Sequence, residues 1–108
     1  MEFSDYQIEA AKTAIYPPQF AVTYPALGLA NEAGEVLGKL KKLLRDKEGA
    51  IEPEDTEAIA KECGDVLWYL AILARDLGIS LDKVAEDNIK KLKDRQERGV
   101  LGGSGDNR

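Results

Sequence analysis

KECGDVLWYLAILARDL, residues 61–77, is a largely apolar run that nonetheless carries Glu62 and Asp65 near its start. Ile59, Cys63, Val66, Leu67, Leu70, Ala74 and Leu77 fall on one stripe at helical spacing, while Trp68 and Ile72 lie well round the other side. The stretch is therefore expected to be a central helix covered on more than one flank. Glu62 and Asp65, three residues apart, share a surface at the edge of the main stripe.

The same local text occurs earlier. NEAGEVLGKL, residues 31–40, aligns without a gap on KECGDVLWYL, residues 61–70, so that Glu35 answers Asp65 and Ala33 answers Cys63. The acids thus hold the same phase on two helices. If those helices pack through their apolar stripes, Glu32, Glu35, Glu62 and Asp65 converge from two rigid backbones. Neither four-residue motif contains a lysine or histidine to neutralise the cluster.

The 108 residues suffice for one modest domain, and an apolar central helix among four is poorly covered in a monomer, so association is expected. Fifteen basic against twenty acidic residues give a net charge of -5, which disfavours wrapping of a nucleic-acid polymer. No run is long and apolar enough for a membrane span and no secretory leader is evident, so no membrane partner and a cytoplasmic location are expected. One cysteine excludes an internal disulfide framework. The absence of histidine removes the usual zinc sets, leaving a hard, oxygen-liganded cation as the metal these residues suit.

Outward from the centre, a first helix is predicted from after Ser4, with Gln7 completing a capping box, to about Tyr16, where Pro17 and Pro18 stop it. Gln19 to Tyr24 reads as a loop over the bundle. The second helix opens between Thr23 and Ala26 and runs to about Arg45, with Leu29, Ala33, Val36, Leu37, Leu40 and Leu44 as its stripe. Gly28, Gly34 and Gly38 each cost about 1 kcal/mol against alanine in a helix, and close helix approach or room for a ligand is the cause they suggest. The basic end of this helix reads as a solvated face, with Lys39 set apart because it lies one turn beyond Glu35.

Pro53 starts the third helix and Gly78 ends it. Ser80 caps a fourth whose inward positions are Leu81, Val84, Ala85 and Leu92, with Asn88 on or beside that side and Lys91 and Arg95 following at helical spacing. Residues 1–101 form one helical domain in this reading, and 102–108 a glycine-rich tail. The tail is expected to fray, although its glycines also permit an anion-holding turn.

Four adjacent carboxylates raise one another's pKa values unless a cation joins them, which points to metal binding. Magnesium takes oxygen ligands and commonly binds substrate phosphates at the same time. A glycosidase needs only two acids in unlike environments, and a ferritin-like di-iron centre wants Glu-x-x-His pairs that this chain lacks. A purely structural bundle with solvated acids also fits the residues.

Here the sequence resembles the MazG-like all-alpha nucleoside triphosphate pyrophosphohydrolases. Their Glu-x-x-Glu, spacer, Glu-x-x-Asp pattern is matched by Glu32, Glu35, Glu62 and Asp65, and their Asn-x-x-Lys helix with a further basic residue by Asn88, Lys91 and Arg95. The likeness covers roughly Ala26 to Gly99, and the ending GSGDNR resembles that of short stand-alone members. It implies an all-α, four-helix MazG-like bundle completed by oligomerisation as a homodimer or homotetramer. The activity implied is Mg²⁺-dependent cleavage of a nucleoside or deoxynucleoside triphosphate to the monophosphate and pyrophosphate by a metal-activated water.

Carried onto this chain, the resemblance makes Glu32, Glu35, Glu62 and Asp65 metal ligands, with Glu35 and Glu62 catalytic and Glu35 touching the water. Lys91 and Arg95 become phosphate clamps, Lys39 a weaker one, Asn88 a sugar or phosphate contact, and Trp68 a base-stacking or subunit-seam residue. A non-catalytic nucleotide- or metal-binding regulatory protein is the alternative. A related enzyme of the superfamily acts on a phosphoribosyl-linked adenine nucleotide, so that substrate also belongs in any panel.

Overall fold

A computed structural model describes all of residues 1–108. The fold is all-α, with four helices: α1 (Phe3–Ala11), α2 (Thr23–Lys47), α3 (Pro53–Asp76) and α4 (Leu81–Glu97), plus one 3₁₀ turn at Pro18–Phe20. No helix is long and apolar enough to cross a membrane.

The long pair α2 and α3 forms the body of the molecule, and α1 and α4 lie against α3. The hairpin that joins α2 to α3 is made locally. Glu48 and Gly49 take left-handed backbone angles of φ 53° and 85°, and the Gly49 N–H returns to the Leu43 carbonyl at 3.0 Å. Pro53 opens α3 and the Asp55 carboxylate accepts the Glu52 N–H at 3.0 Å. Lys47 reaches Asp55 at 2.9 Å, so the last turn of α2 is pinned to the first turn of α3. The connection fixes the two helices antiparallel, which sets the middle of one opposite the middle of the other.

The first helix departs from the sequence expectation at both ends. It begins at Phe3, where the Asp5 carboxylate accepts the Glu2 N–H at 2.9 Å, and it stops at Ala11, well before Tyr16. Thr13 Oγ1 donates to the Ala10 carbonyl at 2.8 Å and closes the helix end. Gln7 is no cap. Its buried side-chain amide donates to the Ala71 and Ile79 carbonyls at 3.0 and 3.1 Å and accepts the Leu81 N–H at 3.2 Å, tying α1 to α3 and to the start of α4.

The apolar stripe on α3 is also redistributed. Ala71 and Ile72 are fully buried and Ala74 nearly so, whereas Cys63 and Leu77 are exposed. The core thus sits where α1 and the start of α4 meet the second half of α3. Gly78, at φ 76°, ends the helix, and Ser80 Oγ accepts the Lys83 N–H at 3.1 Å to start α4.

The α2 stripe splits in two because the apolar surface of this helix is wider than α3 can cover. Pro25 and Leu43 are buried, and Leu29, Val36 and Leu40 are half-buried. Leu27, Leu37 and Leu44 remain 69%, 66% and 69% exposed. The accessible surface of 7641 Å² compares with about 5,900 Å² for a compact folded monomer of 11.8 kDa. The radius of gyration, 16.8 Å, likewise exceeds the roughly 13 Å of a compact chain of this length.

The tail does not fray. Arg108 folds back and donates to the carbonyls of Val100, Leu101, Gly102 and Gly105, with Gly103 and Gly105 at positive φ. Carbonyl groups, not N–H groups, point into this loop. It holds a guanidinium, and the anion-binding turn allowed by the glycines is not what forms.

Candidate metal centre

Antiparallel packing sets Glu32 on α2 against Glu62 and Asp65 on α3, and one carboxylate oxygen from each lies within 4.8 Å of the others. Glu32 and Glu62 are half-buried at the seam and Asp65 is exposed. Desolvation, together with the charges of Asp65, Glu62 and Glu35 and a hydrogen bond with Glu62, raises the Glu32 carboxyl above its ordinary value. Such a set favours a cation or a shared proton. Every donor is a hard carboxylate oxygen and no histidine exists in the chain, so the residues fit Mg²⁺.

Glu35 stands outside this group of three. The three-residue step from Glu32 carries it about 60° round the helix, and its side chain is exposed. The analogous step on α3 leaves both Glu62 and Asp65 on the seam because they straddle the line facing α2. Lys39 answers Glu62, not Glu35: its Nζ lies 3.5 Å from Glu62 Oε1 across the helix pair.

A cleft of about 360 Å³ opens beside the triad, lined by Glu32, Asp65, Trp68, Tyr69 and Thr13. Trp68, whose angle on α3 suggested a place away from the acids, is thus part of the same wall. Its indole N–H donates to Thr13 Oγ1 at 2.8 Å, and its ring meets Tyr69 edge-on at 4.9 Å and 84°. Tyr24 continues the aromatic row, 6.3 Å from Tyr69 and stacked on Tyr16 at 4.7 Å. Burial and the nearby Tyr24, Glu32 and Asp65 push the Tyr69 phenol above its ordinary pKa.

Tyr16 is held in turn by Asp76, which accepts from its hydroxyl, from the Val22 N–H at 2.9 Å and from Arg75 at 3.0 Å. Val22 needs that support. At φ 68° and ψ -56°, with the Thr23 N–H on the Ala21 carbonyl at 2.8 Å, it forms a γ-turn that a β-branched residue rarely adopts.

The basic residues of α4 lie elsewhere. Asn88 is on an apolar groove with Phe3, Leu67, Leu70, Leu81, Val84 and Ala85. Lys91 and Arg95 close on the chain's own tail: both bond Asp106 Oδ1, at 2.8 and 3.0 Å. Within one protomer, neither Asn88, Lys91 nor Arg95 lines the acidic cleft.

Residues 23–100 match the pattern of the MazG nucleotide pyrophosphohydrolase domain. The chain belongs to the MazG family. The MazG match takes in every acid of the cluster together with Lys39, Trp68, Asn88, Lys91 and Arg95, and leaves Thr13 outside. The "Gene 37 protein" of Mycobacterium phage L5 is 46% identical over 114 aligned positions spanning the whole of both chains. No solved structure matches. Thr13 and Tyr16 went unnoticed in the sequence because a hydroxyl just past a short helix has no periodic signal. Gly28 did have one, as a costly residue inside a helix.

Proposed function

We propose that the protein is a Mg²⁺-dependent pyrophosphohydrolase that cleaves nucleoside or deoxynucleoside triphosphates between the α and β phosphorus atoms, releasing the monophosphate and pyrophosphate. The observation that carries this reading is the convergence of Glu32, Glu62 and Asp65 within 4.8 Å in a chain of the MazG family. Mg²⁺ held there supplies neutralisation of the phosphate chain and a water of lowered pKa.

Glu32, Glu62 and Asp65 would hold the cation at the α2–α3 seam. Glu35, one step round the helix and free of an ion pair, accepts the proton of the attacking water. Oxygen from water becomes bonded to the α phosphorus while the bond to the bridging oxygen breaks. The pyrophosphate leaves with that oxygen. Lys39 sits beside Glu62 and meets the phosphate end, while Trp68 offers its ring to the base.

Asn88, Lys91 and Arg95 contribute sugar and phosphate contacts when α4 of a neighbouring copy brings them to the cleft, in a homodimer or homotetramer. The excess accessible surface of each chain, about 1,700 Å² over a compact monomer, supports such an assembly because it is about twice the roughly 800 Å² that each partner contributes to a standard stable interface.

A panel of ribo- and deoxyribonucleoside triphosphates and the phosphoribosyl-linked adenine nucleotide, incubated with Mg²⁺ and analysed for products, tests the reading. Monophosphate and pyrophosphate are expected from at least one triphosphate, and Glu62→Gln is expected to lower turnover by at least 100-fold. No such products from any substrate would leave a binding protein without turnover.

A further inference from the structure

A methyl group added at Gly28 would lie 2.1, 2.3 and 2.5 Å from Cε1, Cδ1 and Cζ of Tyr69. The phenol ring therefore rests directly on the backbone of α2, in a slot that only glycine leaves. Of the three glycines on α2, this is the one with a neighbour: Gly34 and Gly38 face open space.

The position of this contact matters for the acids. Gly28 precedes Glu32 by one helical turn, and Tyr69 follows Asp65 by one turn, so the contact and the acid cluster are consecutive layers of the same seam. Tyr69 is also confined from two further sides, by Trp68 edge-on and by Tyr24. The ring is rigid and its one open side is the cleft, so filling its seat on α2 moves the ring toward the acids or the helix axes apart, and either alters the spacing at the cluster.

We propose that Gly28 and Tyr69 are a positioning pair that sets the spacing of α2 and α3 one turn from the acids, and so sets the affinity of the Glu32–Glu62–Asp65 cluster for a divalent cation. This rests on the metal reading of that cluster and adds to it a determinant that touches neither metal nor substrate. The ring's shape is what acts, since its bulk fills the seam. The hydroxyl is secondary.

The test uses Mn²⁺ alone, followed by calorimetry on the full chain. Gly28→Ala is expected to weaken Mn²⁺ binding about tenfold, Tyr69→Phe to leave it within twofold of wild type, and Gly28→Ala with Tyr69→Ala to recover most of the loss. In turnover assays Gly28→Ala raises the half-saturating Mg²⁺ concentration by a similar factor, with kcat at saturating Mg²⁺ little changed.

Chemical denaturation supplies a metal-free check: Gly28→Ala lowers the midpoint when Tyr69 is present and raises it when Tyr69 is alanine, because alanine is then simply the better helix former. Wild-type Mn²⁺ binding with equal binding by Gly28→Ala overturns the positioning role and leaves the metal reading standing. Failure of wild type itself to take up Mn²⁺ overturns both, and a denaturation midpoint that moves the same way in both backgrounds overturns the pair.

Discussion

Arg95 and Asp106 hold each other across the end of α4: the buried guanidinium donates to the Asp106 carboxylate at 3.0 Å and to its backbone carbonyl at 2.6 Å. Lys91 joins the same oxygen at 2.8 Å. The pair, rather than a base, decides where the tail lies. Hydrogen bonds donated by Lys91 and Arg95, and then the charges of the two, keep the Asp106 carboxyl below its ordinary pKa.

The carboxylate thus sits where two cations would take a phosphate oxygen, yet its side chain is 75% exposed and easily displaced. Asp106→Ala is expected to tighten inorganic pyrophosphate binding several-fold, measured by calorimetry, and to expose residues 102–108 to proteolysis while helical circular dichroism is unchanged. Weaker pyrophosphate binding would make the tail a part of the anion site instead of its competitor.

The Lys39–Glu62 contact at 3.5 Å predicts opposite effects on metal and substrate. An ammonium beside the triad offsets its negative charge and opposes a divalent cation by roughly 1 kcal/mol at this partly exposed position. Lys39→Met should therefore bind Mn²⁺ about threefold to tenfold more tightly while raising KM for a triphosphate. A variant that moves neither quantity would make Lys39 a surface lysine.

How much of this was legible beforehand follows from periodicity. The convergence of Glu32, Glu62 and Asp65 was legible because repeated spacing in rigid helices fixes a direction, although Glu35 lies outside it, and the cap at Ser80 and the stop at Gly78 were legible because those residues do local work. Helical spacing also gave the correct expectation for the existence of all four helices. It failed at Gln7, read as a cap and found as a bridge between α1, α3 and α4, since a buried amide's partners lie more than sixty positions away.

The end of α1 at Ala11 was misplaced for a related reason: the Thr13 hydroxyl closes the helix end, and Ala11 lies six residues before the first of the prolines that seemed to stop it. The tail was misread because the partner of its glycine-rich loop is the terminal Arg108, and a composition argument assigns no geometry to a single side chain.

Asp76 links α3 to the turn before α2, and its ionisation should be visible in stability. Its side chain is only 5% exposed. Burial pushes its carboxyl up, but the hydrogen bonds from Tyr16, the Val22 N–H and Arg75 outweigh burial and the net value is lowered below the ordinary 3.8. The unfolded chain then binds the proton more readily than the folded one, so the stabilisation is complete above 3.8 and disappears as pH falls through the lowered folded value. Asp76→Asn is expected to cost about 2 kcal/mol at neutral pH. The gap between wild type and variant in urea denaturation should close on acidification; a gap that is constant with pH would mean that the Asp76 charge is not involved.

The outer face of α2 bears on assembly. Leu27, Ala30, Gly34, Leu37 and Leu44 follow one another at alternating three- and four-residue steps, interrupted only at Lys41, and all five are exposed. Such a seam is self-complementary under a two-fold axis, and its small residues at 30 and 34 let two helices approach closely. Leu37 occupies its middle. Burying one leucine of this size stabilises an interface by about 2 kcal/mol, and a glutamate there would bring two like charges together across the axis. Leu37→Glu is therefore expected to shift the protein to monomer in sedimentation at micromolar concentration, with α-helix content retained, and to lose triphosphate turnover along with the neighbour's Lys91 and Arg95. Leu77→Glu, at a leucine 56% exposed just past the end of α3 and outside this seam, serves as the control and should leave the assembly intact. An oligomer that survives Leu37→Glu would place the subunit contact on another face and leave the α2 seam to solvent.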